Sequence, residues 1–273
     1  PVNVLAHRLH PDHQYMTVSE IVEETAAART FRLVPDKDQG TEELAFFRPG
    51  QYLSFYFDIE GASITRPYSI SSSPGEALEG FYEITVKQNE GGYVSNYIQK
   101  NWKVGTTVKS SGPQGHFYYE RLRDADKVIG IAGGCGITPF RSIIKSIMDG
   151  TLNIDLTLFY GSNTMNEIIY LKELEKLAEA SKGRVKVIHV LSGEKAEGCE
   201  YGFITADLIR KYANPDESSF FICGPQVMYD FLRKELKSLR LRRKNVRWEL
   251  FGEIKDVKNT NGYPEEKAGQ SFK

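Results

Sequence analysis

The chain has 273 residues, of which 40% are hydrophobic, 12% aromatic and 26% charged. These proportions are typical of a folded globular protein, and the length suits two domains with separate cores. Lys and Arg number 35 against 36 Asp and Glu, so the formal net charge is −1. That balance gives no reason to expect nucleic acid or an anionic membrane surface as a partner. The densest basic run, residues 240–244 with Arg247, is interpreted as a solvated helix end.

Apolar runs and cysteines narrow the class of protein further. No stretch approaches the roughly 18 to 20 apolar residues needed to span a bilayer, and no signal peptide opens the chain. The three cysteines, Cys135, Cys199 and Cys223, are too few for the four thiolates of a usual iron–sulfur cluster. We therefore expect a protein of the reducing cytoplasm that holds no metal.

The first half alternates short β-type segments with turn residues. The segments are rich in Tyr, Phe, Val, Ile and Thr, and Pro-Gly and Gly-Gly pairs separate them. The predicted strands are 16–23, 30–34, 52–59, 66–71, 81–87 and 106–110. Six strands at this spacing predict a small antiparallel barrel, with one helix at 94–100.

Beyond Asp126, apolar strands alternate with helix patterns. The predicted strands are 127–132, 154–160, 184–190, 218–222 and 245–250, and the predicted helices are 139–148, 167–180, 205–212 and 226–239. Strict alternation predicts a parallel sheet covered by helices on both faces. The expected domains are a barrel at 15–123 and an α/β domain at 124–254, between an N-terminal extension at 1–14 and a polar linker or tail at 255–273.

A glycine-rich turn at 133–139 follows the first strand of the second half and opens a helix. Glycines let the backbone approach a ligand closely, and free N–H groups at a helix start attract phosphate. We expect Thr138 to cap this helix and Pro139 to be its first residue. Because Pro139 stands where the usual dinucleotide motif has its third glycine, the turn alone also fits a plain strand-to-helix connection.

A second glycine turn, Cys223-Gly224-Pro225, follows the strand at 218–222 and precedes the helix that bears Met228. In a parallel sheet both turns would lie at the carboxyl edge, where open α/β sheets bind ligands. Taken alone, Cys223 is more typical of a buried structural thiol than of a residue that takes part in chemistry.

The barrel half carries residues suited to a flavin nucleotide. Arg66 can pair with a pyrophosphate, Tyr68 can stack on a flat ring, and Ser69 offers a hydroxyl. The glycines before Val94 leave N–H groups free at a helix start, which makes a second phosphate site. Taken singly, Tyr68 also fits a core position and Arg66 a surface charge.

Together these motifs resemble the ferredoxin–NADP reductase superfamily, especially the flavin and NAD(P)H reductase module of bacterial oxygenase reductases and flavohaemoglobins. The resemblance covers about residues 15–254. The matching motifs are R-x-Y-S at Arg66, Tyr68 and Ser69, G-x-x-S at Gly92 and Ser95, G-x-G-x-x-P at Gly134, Gly136, Thr138 and Pro139, and C-G-P-x-x-M at Cys223, Gly224, Pro225 and Met228. Near the end, Glu249 and Phe251 resemble the acid and the aromatic that the family places beside its flavin.

The resemblance implies that the chain takes hydride from NADH or NADPH onto FAD, with FMN less favoured, and passes electrons to an iron–sulfur or haem acceptor. It implies a catalytic set in which Ser69 bonds the flavin N5, Cys223 borders the nicotinamide, and Glu249 and Phe251 lie beside the flavin. Arg66 and the 92–95 turn would hold phosphates. The other implied cofactor contacts are Pro67, Tyr68, Val86, Lys87, Gly91, Val94 and Ile137.

Several alternatives stay open at this level. The chain also fits a stand-alone NAD(P)H:flavin reductase or a non-catalytic nucleotide-binding module that senses redox state. The strand at 154–160 runs into Gly161-Ser162-Asn163, without an acid for a ribose diol or an arginine for a 2′-phosphate, and we favour NADH.

The two ends of the sequence carry a further expectation. The chain does not begin with Met, and from Lys255 onward it is polar and loop-like. An ordinary frayed terminus fits this tail. The family resemblance instead suggests a linker to a fused [2Fe–2S] ferredoxin domain absent from this chain, so that the chain is an excised reductase module.

Overall fold

Six antiparallel strands of the first half form a barrel. The computed structural model describes residues 10–251, except for the side chain of Phe251, and the expectations for residues 1–9 and 252–273 lie outside it. The strands are β1 Gln14–Thr25, β2 Ala28–Pro35, β3 Tyr52–Ile59, β4 Ala62–Ser69, β5 Tyr82–Lys87 and β6 Thr107–Ser110. Their order is β4-β3-β6-β1-β2-β5, and a bridge between Ile70 and Ile84 joins the two outer strands. The predicted antiparallel barrel is confirmed.

The barrel core follows from period-2 alternation along its strands. In β3, every second side chain from Leu53 to Ile59 is buried, because successive side chains of a strand point to opposite faces. The Trp102 ring contacts the rings of Phe31 at 5.3 Å and Phe55 at 5.7 Å between centroids. These buried aromatic side chains fill the interior, so the barrel encloses packed side chains.

Between residues 10 and 126 the structure has two α-helices beside the barrel, and only one of them was predicted. The helix expected at 94–100 is α2, Tyr93–Asn101, whereas α1, Pro74–Leu78, was not expected because Pro74 and Gly75 suggest a turn. A capping box specifies α1: the Ser73 hydroxyl accepts the Glu76 N–H at 3.3 Å, and the Glu76 carboxylate accepts the Ser73 N–H at 2.8 Å.

The second half forms a six-stranded parallel sheet with helices on both faces. Its strands are β7 Lys127–Gly133, β8 Asp155–Ser162, β9 Val185–Leu191, β10 Glu200–Tyr201, β11 Ser218–Pro225 and β12 Val246–Phe251, in the order β10-β9-β8-β7-β11-β12. The helices are α3 Thr138–Met148, α4 Leu171–Ala180, α5 Ala206–Tyr212 and α6 Gln226–Ser238. Separate apolar clusters pack α3 with α4 and α5 with α6. The predicted α/β architecture is confirmed.

The helix expected at 167–180 is shorter than its apolar pattern suggested. A 3₁₀ turn covers Met165–Glu167, and α4 begins only at Leu171. The reason lies at Tyr170, which adopts the left-handed conformation with φ of 64° and buries its ring. A residue in that conformation interrupts a right-handed helix. The residues before Tyr170 therefore do not join α4, although their sequence pattern predicted a helix there.

Strand order determines where a ligand site is expected in the parallel sheet. From β7 the chain proceeds through β8 and β9 on one side, and then crosses to β11 and β12 on the other. Ligands of open α/β sheets bind at the carboxyl ends of the strands beside such a reversal. Those ends are Gly133 in β7 and Pro225 in β11. Within residues 10–251, no helix is long and apolar enough to cross a membrane.

Candidate functional site

The two glycine turns meet at the carboxyl ends of β7 and β11. After Gly133, a 3₁₀ turn over Gly134–Ile137 leads into α3, and Gly134 has a φ of 52°. A Cβ placed on Gly136 would lie 2.1 Å from the carbonyl oxygen of Cys223, which is backbone and cannot turn aside. Only glycine permits this contact, so the first turn lies directly against the second.

Met228 on α6 fills the space beside the same turns. A Cβ on Gly133 would lie 2.7 Å from the Met228 sulfur, and one on Gly224 would lie 2.4 Å from its methyl carbon. Gly133 was not among the predicted site residues. Its position at the end of β7, one residue before the predicted motif, is the signal that could have found it.

The start of α3 differs from the expectation. Thr138 was predicted to cap the helix, but α3 begins at Thr138 itself and Ile137 holds the cap position. The 3₁₀ turn runs directly into the helix, so Thr138 is helical and its hydroxyl donates to the Cys135 carbonyl at 3.0 Å. No side chain of the described residues caps α3. The Thr138 N–H donates to the Cys135 carbonyl and Pro139 has no N–H, so the N–H groups offered to an anion have to come from the glycine turn before the helix.

A second helix start of the same kind lies on the barrel. Gly92 occupies the cap position of α2 without a side-chain cap, and Gly91 before it has a φ of 72°. A Cβ on Gly92 would lie 2.5 Å from the Ser95 hydroxyl oxygen, which accepts the Asn89 N–H at 3.4 Å. Val94 is buried in the barrel core. The Gly92 N–H donates to the Asn89 carbonyl at 2.9 Å, so Gly91–Ser95 is a tight turn, and the α2 start that follows it has no side-chain cap.

The R-x-Y-S segment ends β4. Arg66 and Pro67 are exposed, Tyr68 is half-buried with its ring 6.0 Å from that of Phe55, and Ser69 is buried. The Ser69 hydroxyl finds no hydrogen-bond partner among the described residues. A buried hydroxyl without a partner is uncommon, and it marks a place where a bound group would complete the hydrogen bonding.

Glu249 and Cys223 lie side by side, because β12 pairs in parallel with β11 in that register. Burial raises the pKa of Glu249 to about 7, and its Oε2 has no partner within the described part of the chain. Burial, with a smaller effect from the Glu249 charge, raises the pKa of the Cys223 thiol well above its usual value. The Phe251 backbone pairs with Pro225, while its side chain lies outside the described structure.

The end of β5 connects the barrel with the first glycine turn. Val86 is fully buried in the barrel core, whereas the Lys87 ammonium reaches the Glu167 carboxylate of the other half at 3.5 Å. A Cβ on Gly134 would lie 4.0 Å from the same ammonium. Cys135, which was not predicted as a site residue, donates from its sulfur to the Thr85 carbonyl at 3.4 Å.

These features fit a flavin and a nicotinamide nucleotide. Two helices begin without side-chain caps after glycine turns, which suits two phosphate groups. Ser69 and Glu249 each present a buried polar atom without a partner among the described residues, which suits the polar edge of a flat ring system.

Two domain families match the sequence. The oxidoreductase FAD-binding domain matches residues 15–119, and the oxidoreductase NAD-binding domain matches residues 131–247. The chain belongs to the ferredoxin–NADP reductase-like family. The matched models are the FAD-binding and the NAD-binding domains of that family, and together they cover both halves of the chain.

Individual relatives agree with this assignment. The chain is 32% identical over 238 residues to a glycine betaine monooxygenase reductase subunit of Chromohalobacter salexigens, with 85% of this chain and 62% of the relative covered. It is 33% identical over 242 residues to the ferredoxin reductase component of a 3-ketosteroid-9-alpha-monooxygenase of Rhodococcus rhodochrous, with 88% and 65% covered. The flavohem-like FAD/NAD binding domain of a nitric oxide dioxygenase from Vibrio cholerae superposes with a TM-score of 0.76 at 26% identity, covering 89% of this chain and all of that domain.

The chain spans only part of its relatives' length, 62%, 58% and 55% of the first three. The family membership concerns the flavin-binding and nucleotide-binding halves that the alignments cover.

Proposed function

We propose that this protein takes hydride from NADH onto bound FAD and supplies electrons to an iron–sulfur or haem centre outside the described residues. The observation that carries the proposal is the meeting of the two glycine turns beside Cys223 and Glu249. Relatives named as reductase components of two different monooxygenases support the direction of electron flow. A reducing compartment such as the cytoplasm suits three free cysteines.

The barrel residues have separable parts in holding FAD. Arg66 pairs with the pyrophosphate, since a guanidinium forms two parallel hydrogen bonds with phosphate oxygens. The uncapped start of α2 receives the same charge through its N–H groups. Tyr68 supplies an aromatic face, and Ser69 donates its hydroxyl, which no described residue engages, to the ring edge.

The nucleotide-binding half positions NADH, the hydride donor. The uncapped start of α3 and the Lys87 ammonium beside Gly134 favour the phosphates of the nucleotide. Cys223, buried at the carboxyl end of β11, forms the wall against which the nicotinamide is placed. When bound, the two cofactors supply the hydride chemistry, and the protein contributes contact and orientation between them.

Glu249 is suited to proton handling. A carboxyl whose pKa is about 7 is present in both protonation states near neutral pH. We call the cleft the proposed cofactor site around Ser69, Gly136, Cys223 and Glu249. The Oε2 of Glu249, unpaired within residues 10–251, can therefore hold or release a proton there. The neighbouring thiol of Cys223 stays protonated, because burial raises its pKa.

The choice of NADH rests on the end of β8. The adjoining loops carry Glu167, which pairs with Lys87, and Glu194, whose carboxylate accepts the Met165 N–H at 2.6 Å. The strand itself leads into Ser162 and Asn163, with no arginine beside them in sequence. Carboxylates in this position disfavour the extra charge of a 2′-phosphate.

An absorption spectrum of the purified protein tests the proposal. We expect a yellow protein whose flavin band bleaches anaerobically on adding NADH, with a smaller response to NADPH. Flavin that survives gel filtration excludes a reductase of free flavins, and a colourless protein that takes up neither FAD nor FMN would refute the proposal.

A further inference from the structure

A buried guanidinium joins the two halves of the molecule. Arg141 lies on α3, two residues after Pro139, and its side chain is 8% exposed. On the barrel side its Nη1 donates to the Glu83 carboxylate at 2.6 Å and to the Ser71 carbonyl at 3.2 Å. On the nucleotide side its Nε and Nη2 donate to both oxygens of Glu173 at 2.7 and 2.9 Å.

Charged side chains of both signs surround Arg141. Six side chains at this junction, three cations and three carboxylates, form what we call the seam cluster. They are Arg32, Glu76, Glu83, Arg141, Lys145 and Glu173. Arg32 donates to Glu83 at 2.9 and 3.1 Å, and Lys145 donates to Glu76 at 2.7 Å. Such a cluster is stable only when complete, because removing one member leaves an uncompensated buried charge.

Glu83 keeps its charge in this setting. Burial raises the pKa of Glu83, but the opposing effects of Arg141, Lys145 and Arg32 leave it below its usual value. Its side chain is 5% exposed. The cluster is therefore a set of charge-assisted hydrogen bonds at neutral pH, which are shorter and stronger than neutral ones.

The seam cluster connects the two proposed cofactor sites. On one side, Arg141 follows the glycine turn that opens α3. On the other, it bonds the carbonyl of Ser71, two residues after Ser69, and the Ser71 N–H donates to the Glu83 carbonyl at 2.7 Å. One guanidinium thus joins the nucleotide turn to the segment that presents the Ser69 hydroxyl.

A second set of contacts reinforces the same junction. The hydroxyls of Tyr170 and Thr85 are hydrogen-bonded to each other across the two halves, and the Tyr170 ring lies 4.7 Å from the Arg141 guanidinium. The Thr85 carbonyl also accepts the Cys135 thiol. These contacts bring β5 of the barrel against the first glycine turn.

We propose that the seam cluster is a positioning device for hydride transfer, with Arg141 and Glu83 as positioning residues that set the gap between the nicotinamide and the flavin. The inference rests on the proposed function. Hydride passes only between atoms in contact, and a displacement of about 1 Å costs on the order of a hundredfold in rate. Neither side chain touches a reacting atom, so their effect runs through the placement of α3 and of the Ser69 segment.

Glu83→Gln tests the proposal in the holoenzyme. The variant keeps the shape of the side chain but removes the carboxylate between Arg141 and Arg32. In stopped-flow reduction by NADH we expect a roughly tenfold to hundredfold smaller limiting rate constant. The dissociation constant of NADH should change by less than about threefold, and the FAD content should stay the same, because both binding turns are intact.

Two further measurements separate positioning from general destabilisation. Hydrogen–deuterium exchange of the holoenzyme should speed up in the segments of β5 and α3 that face each other, a readout independent of turnover. Arg141→Lys keeps the charge but loses the bidentate contact with Glu173, and should give an intermediate rate constant. It also serves as the test variant if Glu83→Gln does not fold.

Asp124→Asn is the matched control. The Asp124 side chain is fully buried, and its carboxylate accepts from Arg123 and Arg247 at 2.8 and 2.6 Å, away from the barrel strands. The variant should lower stability and leave the limiting rate constant unchanged. Equal rate constants in wild type, Glu83→Gln and Arg141→Lys would overturn the inference, as would an equal loss in Asp124→Asn. A wild-type holoenzyme that NADH does not reduce would instead refute the proposed function.

Discussion

Glu83 in the seam cluster and Glu249 in the cleft are two largely buried acids whose pKa values are shifted in opposite directions. Burial raises the pKa of both, and in Glu249 nothing offsets it, so its pKa is about 7. In Glu83 the neighbouring cations outweigh burial and lower the pKa. The difference teaches that counter-charges, more than burial, decide whether an acid is structural or available for chemistry.

The same contrast extends to the surroundings of each acid. In the seam cluster each carboxylate has a cation within hydrogen-bond distance. In the cleft, Ser69 and Glu249 have atoms that no described residue pairs, and the helices α2 and α3 begin without side-chain caps. Unpaired polar groups are costly to folding and are retained where a ligand completes them. The seam cluster is thus internally paired, whereas the proposed cofactor site leaves polar atoms for a ligand.

The largest expected effect is on stability, where removing the charge of Glu83 and removing that of Glu249 should have opposite results. At pH 8, Glu83→Gln should lower the free energy of unfolding by about 3 kcal/mol, because Arg141 loses a buried partner. Glu249→Gln should raise it by about 2 to 3 kcal/mol, because an unpaired buried charge is removed. Chemical denaturation of both variants measures this, and a loss of stability in both would contradict it.

The pH dependence of that effect has a defined sign. The folded-state pKa of Glu249 is raised from 4.5 to about 7, so its penalty is absent below the lower value, grows between the two and is constant above 7. The gain from Glu249→Gln should therefore vanish near pH 4.5. The contribution of Glu83, whose pKa is lowered, is present above the ordinary pKa of a glutamate and is lost as the pH falls through the lowered value.

The next effect concerns flavin binding on the barrel side of the cleft. Arg66→Ala should weaken FAD retention by roughly tenfold to a hundredfold, since a hydrogen bond to a charged group contributes about 1.5–3 kcal/mol. Arg48→Ala, which removes another exposed barrel arginine paired with Glu120, is the control. Flavin content after gel filtration measures both, and equal retention would remove Arg66 from the site.

A comparable effect is expected where the two glycine turns meet. Gly136→Ala forces a Cβ against the Cys223 carbonyl and should slow flavin reduction about tenfold, as overpacking costs about 1–3 kcal/mol. Gly161→Ala places its Cβ in ordinary contact, 3.6 Å from the Ala132 carbonyl, and should leave reduction unchanged. Identical rates in the two variants would show that the contact is not needed.

The smallest expected effect concerns the wall of the cleft. Cys223→Ala should slow reduction by NADH up to about tenfold and leave FAD content unchanged, because the thiol is proposed to border the nicotinamide. Cys199→Ala is the control, since Cys199 lies against Met165 near the end of β8. Stopped-flow reduction at the wild-type rate would make Cys223 a structural thiol.

Most of the site could be located from local patterns. Alternating apolar residues predict β3, and the strand-to-helix turns at 133–139 and 223–225 predict a ligand edge. The helix α1 was missed although Ser73 and Glu76 have the spacing of a capping box. The mistaken cap at Thr138 came from overlooking that a 3₁₀ turn occupies the glycines before it.

The sequence by itself determined the two halves and their glycine turns, because short-range periodicity and backbone freedom are written in neighbouring residues. Only the tertiary structure decided which acids are paired. Arg141 meets Glu83 across 58 positions, and Glu249 lies beside Cys223 through the register of β12 on β11. The pKa of a side chain depends on the charges near it and on the groups that exclude solvent from it. For Glu83 and Glu249 these groups come from segments distant in sequence, which meet only in the folded protein.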